Sequence, residues 1–329
     1  MRLTRREVPD EALLVLGAAG MFAAVSFIFG SPIIAALLLL EATALGGARQ
    51  RVVLLPGLFA SGIGALVSTG IGSVSGLSSK DFALGALQLP SFSQPTLADF
   101  PWALALAVAV AVVARAILRL GRETERVAAS RPLVAATAVG VLIAALATIY
   151  GATTDENPVG VLLSGQDQLP ALVDRAGTLS LGTLVLLVLC KGLAYGLSLG
   201  SFRGGPTFPA IFLGVAAGIM ASGLPGLSTT PAVAVCMAAA TVSILGLPLA
   251  SAVLAIVLTA PSGSGAAPLI IVAVVVAHIT TLALKGRSAA GERSTTDSLE
   301  GADAAARGAS GHHPDRMMAA GSPRAAIWT

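Results

Sequence analysis

Ten apolar runs, several of them cut short by a glycine and a proline, constrain this chain more than any other feature. They lie at about Ala12–Phe29, Ile33–Leu45, Val52–Ile71, Trp102–Leu120, Leu133–Tyr150, Leu179–Leu199, Phe208–Ile219, Ala232–Leu245, Leu249–Ala260 and Ala266–Leu284. A bilayer core of about 30 Å takes about 20 apolar residues to cross as a helix, so the longer runs span it and the shorter ones do not. Pro32, Pro209 and Pro248 follow breaks at Gly30, Gly205 and Gly246. Interrupted backbone at membrane depth survives only where it is buried in protein or lines a wet cavity, and transporters hold ions at such helix ends. The pattern predicts an all-α, polytopic membrane protein of about ten transmembrane or broken half-helices.

Charge agrees with that class and excludes others. Only 11 % of the 329 residues are charged, against about 25 % in an ordinary soluble domain. The net charge of +3 is scattered over loops and makes no nucleic-acid footprint, which needs clustered Lys and Arg. Cys190 and Cys236 sit inside apolar runs, where cysteine behaves as a small hydrophobe. Arg49 and Arg51 flank one loop, and Arg115, Arg119, Arg122, Arg126 and Arg131 surround another, whereas 151–176 holds Asp155, Glu156, Asp167 and Asp174 against Arg175. Since cytoplasmic loops hold the excess of Lys and Arg, the acidic stretch is expected outside. Arg2, Arg5, Arg6, Lys285, Arg287 and Arg293 place both termini on the cytoplasmic side of the inner (plasma) membrane. Beyond 284 the composition turns to Gly, Ser, Ala, Asp and Arg and cannot bury a core. The expected division is therefore a membrane domain over 1–284 and a disordered tail over 285–329. His312 and His313 in that tail are read as solvated, so neither a metal site nor a cofactor is expected.

The chain also repeats itself. Placing Pro32 on Pro248 superposes Gly30 on Gly246, Ala23 and Ala24 on Ala239 and Ala240, and Leu37 on Val253. Each copy, 17–42 and 237–259, reads as a small-residue helix, a Gly-x-Pro break and a second apolar helix. Repeats with helix breaks at midplane are a transporter habit.

Residues 199–218, LGSFRGGPTFPAIFLGVAAG, resemble the segment of the CLC chloride channels and chloride/proton antiporters that contains their third anion-binding motif, GG-x-F-x-P. Gly204, Gly205 and Pro209 take the Gly, Gly and Pro positions, and Gly214 and Gly218 continue the family spacing. Residues 17–41 and 235–258 are similar to the family's paired helices in its two halves, and the likeness runs in order from about Glu11 to about Leu284. The GSGIP and GREGP motifs of the family's opening portion do not occur in this sequence. The expectation is a natural short form, a fragment or a degenerate relative.

The resemblance implies a CLC-like inverted repeat, a homodimer in the bilayer, and an anion site at 204–209. A half-helix starting there aims free N–H groups and the positive end of its dipole at the cavity. The family donates from the two positions that are Pro206 and Thr207 here; Pro206 has no N–H, while Thr207 keeps its amide and adds a hydroxyl. Phe208 falls one position later than the family phenylalanine. Glu41 ends the apolar run 33–45 and matches the acidic residue before the antiporters' proton-transfer glutamate, which is Ala42 here. It serves either the pathway or the structure, by snorkelling toward the interface. Lys191 precedes the motif where the family often places a basic residue; it attracts anions to the pathway or simply snorkels. The family tyrosine that caps the central anion has no counterpart after Ile279, and Tyr150 and Tyr195 lie elsewhere in the sequence. His278 is read as a packed or interfacial residue. No phosphate-binding loop, HExxH or GxSxG occurs, so no enzyme is expected. The function implied is passive, proton-independent movement of chloride or another small monovalent anion by a channel or transporter. The alternative is a remnant or scaffold of the same fold that transports nothing.

Overall fold

A computed structural model describes residues 9–43, 47–76, 83–202 and 204–286, and among these the regular elements are all helical. They are α1 (Asp10–Phe29), α2 (Pro32–Thr43), α3 (Gly47–Ser75), α4 (Asp99–Ala128), α5 (Pro132–Thr154), α6 (Leu169–Asp174), α7 (Leu181–Ser201), α8 (Thr207–Ala221), α9 (Thr229–Leu245), α10 (Pro248–Thr259) and α11 (267–286). The N-terminal Arg2, Arg5 and Arg6, Lys80, Arg203, and the tail from 287 with its two histidines lie outside the described residues. Among the described residues, six stretches are long and apolar enough to cross a membrane: Ala12–Phe29, Val52–Ile71, Asp99–Ala128, Pro132–Thr154, Leu181–Ser201 and Ser264–Gly286. Four shorter apolar helices, Pro32–Ala42, Thr207–Ala221, Thr229–Leu245 and Pro248–Ser262, are the half-helices anticipated from the breaks.

The two repeat breaks have the same local geometry. α1 ends at Gly30 in the left-handed region (φ 61°, ψ 15°) and α9 at Gly246 (φ 72°, ψ 17°). Glycine suits that conformation because it has no Cβ to collide with the following carbonyl. A proline then opens α2 and α10, where its fixed φ is already helical and its missing N–H is no loss. The two second helices, α2 and α10, pack against each other, and α1 packs on α3.

α9 forms the centre. Thr230 through Ser243 are all buried, so this helix has no lipid-facing side and is covered by α4, α8 and α10. Small residues make that possible. α4 presents Ala103, Ala107, Ala111 and Ala114 to the core, one stripe at helical spacing that lets the backbones approach. Outward-facing positions are apolar as lipid requires: Leu55, Phe59 and Leu66 on α3, and Ile271, Val275 and Ile279 on α11, are all exposed.

The stretch 83–98 is irregular and yet stitched into the helix bundle. Its Leu84 amide donates to the Ile28 carbonyl at 2.8 Å and its Leu87 amide to the Leu258 carbonyl at 2.7 Å, both in the last turns of their helices. Phe92 donates to Ser262 at 2.6 Å and accepts from the Gly265 amide at 3.2 Å, while the Thr230 hydroxyl donates to the Pro90 carbonyl at 2.7 Å. Helix C-termini leave carbonyls without intrahelical partners, and this strand-like segment supplies donors to two of them. Arg175, just after α6, grips Glu156 in the loop after α5 through two N–H···O bonds of 2.7 and 2.6 Å and holds its carboxyl below the usual range.

Candidate functional site at the α7–α8 junction

α7 begins at Ser180, whose hydroxyl accepts from the Thr183 amide at 3.1 Å, a conventional N-cap. Its buried face carries Leu184, Leu187, Cys190, Lys191, Ala194 and Tyr195, the i, i+3, i+4, i+7 pattern of a core stripe. A lysine on that stripe cannot snorkel. Lys191 is 1 % exposed, so its ammonium lies inside the protein. Its Nζ donates to the Leu162 carbonyl at 2.7 Å and the Leu163 carbonyl at 3.0 Å, and lies 4.9 Å from the centre of the Phe212 ring. The backbone turns to make this possible: Leu163 adopts φ +53°, a conformation that few residues other than glycine visit.

The chain leaves α7 at Phe202 and re-enters helix at Thr207, so the Gly-Gly-Pro motif forms the turn between α7 and α8, as its composition predicts. A cavity of about 390 Å³ opens there, lined by Leu162, Leu163, Ser164, Lys191, Tyr195, Ser198, Gly204, Gly205 and Pro209 among others. Of the six motif residues, Gly204, Gly205 and Pro209 line it. Pro206 contributes its carbonyl, which accepts from the Tyr195 hydroxyl at 3.4 Å. Thr207 is half-buried and lies outside the lining. Phe208 points elsewhere: its ring stacks on Phe29, the last residue of α1, with centroids 5.2 Å apart and planes 18° from parallel. Its one-residue displacement from the family position thus has a structural use, joining the first turn of α8 to the end of α1.

A helix start normally offers four free N–H groups. At α8 the N-cap is Pro206 and the third residue of the helix is Pro209, neither of which has one. Thr207 and Phe208 hold the amides that remain.

Glu41 does not join the cavity. Its carboxylate accepts from the Leu249 amide at 3.0 Å and the Ala250 amide at 2.7 Å, so the last turn of α2 caps the first turn of α10. A carboxylate at a helix N-terminus satisfies two orphan donors and meets the positive end of the dipole. The contact is a cap on α10 made by the end of α2. Glu41→Ala is expected to lower stability by about 1–2 kcal/mol, in the upper range of helix caps, with Glu41→Gln losing less because its amide oxygen still accepts one bond. Thermal unfolding of the purified protein measures both, and an unchanged midpoint for Glu41→Ala would remove the cap assignment.

Tyr195, set aside in the sequence, lines this cavity. It stands one helical turn after Lys191, with Ser198 at the next step, and that spacing of polar residues along an apolar run was the available signal. His278 is half-buried on α11, and no group of three metal-ligating side chains occurs among the described residues.

A family model described as voltage gated chloride channel matches residues 2–282. No curated protein matches the chain.

Proposed function

This chain belongs to the CLC family of voltage gated chloride channels, and from that membership we propose that it moves chloride or a similar small monovalent anion passively through the cavity at the α7–α8 turn. The observation that carries the proposal is the cavity's wall. It combines a broken helix start, two glycines that let an ion approach backbone, and a buried ammonium, with no carboxylate among the described lining residues. Such a surface repels cations and gives a proton no acidic group to hop to. Glu41 is occupied as a cap on α10, and Ala42 next to it cannot ionise. These placements support movement of the anion without proton coupling.

The working unit we propose is a homodimer in the inner (plasma) membrane, joined through α2, α3, α10 and α11, with the Arg-rich α4–α5 junction and both termini in the cytoplasm. The exposed apolar side chains of α3 and α11 supply surface for either lipid or a second copy.

Liposomes loaded with KCl and an internal pH reporter test the function. Addition of a potassium ionophore is expected to release chloride with no uphill proton movement. Stoichiometric proton pumping on an imposed chloride gradient would overturn the passive mechanism. No efflux from a well-folded dimer would favour the scaffold alternative, which the two prolines at the start of α8 also favour by halving its free amides.

A further inference from the structure

Resting on the anion movement proposed above, we propose that the Glu156–Arg175 ion pair is a positioning clasp for the α7–α8 cavity, which holds the 157–174 loop in place as the cavity's wall and releases it in acid. The pair touches no permeating ion and acts through the loop.

The first support is where the clasp sits. Glu156 lies just past α5 and Arg175 just past α6, 19 residues apart in the chain. α5 packs on α7, and α6 packs on α8. The clasp therefore ties together one element from each side of the junction at which the cavity opens. Between its two ends the chain runs through Val161, Leu162, Leu163 and Ser164, all of which line that cavity.

The second is the backbone that the loop holds. Among the described residues, Asp155 and Leu163 are the two non-glycine residues at positive φ, +54° and +53°, and Gly165 in the same loop stands at +85°. A side chain in the left-handed region persists only where its surroundings over-determine it. One of these strained residues adjoins the clasp, and the other presents its carbonyl to Lys191. Freed at its ends, the loop has a route to relax, and the wall at 161–164 moves with it.

The third is the chemistry of the pair. Exposed ion pairs contribute little unless their geometry is good. Here the guanidinium fork meets both carboxylate oxygens at 2.7 and 2.6 Å, a charge-assisted bidentate contact, and the Glu156 side chain is only 21 % exposed. Arg175 holds the Glu156 carboxyl below its ordinary value of 4.5. A carboxyl lowered in the folded state contributes its stabilisation above that ordinary value and loses it as pH falls through the folded one. The clasp is thus closed at neutral pH and opens in acid. Tyr150 of α5 faces Glu156, with Cys190 of α7 beside Tyr150; a phenol and a thiol both keep their protons throughout that range. Asp155 and Asp174 adjoin the two partners in sequence and are retained in both variants below.

Chloride release from KCl-loaded liposomes, started with a potassium ionophore at the same pH on both sides, tests the clasp. Each rate is divided by the same variant's rate at pH 7, so the amount of folded protein drops out. Wild type is expected to lose about threefold or more of its rate between about pH 5 and pH 3.5, and to regain it on return to pH 7. Glu156→Gln and Arg175→Met have no ionised pair to break and should both show flat profiles; either serves if the other fails to fold. A pair that merely stabilised the fold would give no reversible step that depends on both partners. A flat wild-type profile, or a step that persists in either variant, would overturn the clasp while leaving anion conduction intact. Absence of chloride release from wild type at pH 7 would instead overturn the conduction on which this inference stands.

Discussion

Gly218→Val is expected to prevent α8 from docking on α9 and to cost more than about 3 kcal/mol, beyond the usual 1–3 kcal/mol of overpacking. A Cβ on Gly218 would lie 2.4 Å from the Val233 Cα, and one on Gly214 would lie 2.5 Å from the Met237 Cα. Both obstacles are backbone, so no rotamer change relieves them. The helix that would have to move is buried on every side, and interiors packed to crystal-like density yield little. The Gly214-x-x-x-Gly218 spacing puts both glycines on one face, where membrane helices use small residues to bring backbones together. Even Gly218→Ala places its single carbon at the same 2.4 Å and should destabilise strongly. Gly140→Ala in α5 is the control. Nothing lies within 4 Å of its Cβ position, so alanine there should raise stability by about 0.5–1 kcal/mol through helix propensity alone. Thermal unfolding in a mild detergent reads all three. A Gly218→Ala midpoint within a degree or two of wild type would mean that α8 and α9 do not pack as closely as described.

The extent of the helices was legible to the degree that hydropathy alone draws it. Within the described residues, each of the ten apolar runs falls mainly on a helix, because in a bilayer a helix closes its own backbone hydrogen bonds and leaves apolar side chains nothing to avoid. Where hydropathy is silent, the reading stopped short. α4 was expected to end near Leu120, but it continues to Ala128 through an amphipathic turn with Arg122, Glu123 and Arg126, where charge on the outer face hides a continuing helical period. α6 has only six residues and no period to detect. The stretch 83–98 could not be interpreted at all, since its partners are carbonyls at Ile28, Leu258 and Ser262 and nothing in a backbone amide's own sequence marks a distant acceptor.

The site was legible in the same uneven way. Glycines and prolines act on their own backbone, so the turn at 204–209 and the start of α8 follow from local chemistry. Glu41, Lys191 and Tyr195 act on backbone far from themselves: the cap on Leu249 and Ala250, the grip on Leu162 and Leu163, the bond to Pro206. Each therefore stood as one of two alternatives, or was passed over, until the fold brought its partners together. Phe208, one position later than the family phenylalanine, is similar: its neighbour is Phe29, a residue of the first repeat that nothing in the motif itself marks.

Gly165→Ala is expected to damage both stability and the Lys191 cradle. Gly165 adopts φ +85°, ψ 0°, and an alanine held in the left-handed region costs about 1–2 kcal/mol. Its Cβ would also stand 2.6 Å from one ring carbon of Phe212 and 3.1 Å from the Phe212 Cβ. The near end of that side chain cannot swing away, so the collision adds overpacking of about 1–3 kcal/mol, and the total should reach about 3 kcal/mol. Gly226→Ala separates the two causes. It has φ +76° with nothing within 4 Å of its Cβ position, so it should pay only the backbone strain. If unfolding midpoints fall equally for the two variants, Phe212 does not stand against Gly165. The ring that alanine displaces is the one 4.9 Å from the Lys191 Nζ, so the change reaches the wall of the cavity. Pairing Gly165→Ala with Phe212→Leu should restore part of the lost stability, because the narrower side chain frees the space the new methyl needs and contacting residues couple in this way. A double variant whose loss equals the sum of the single losses would deny the contact, and with it the mechanical link between the 162–165 turn and the charge that faces the cavity.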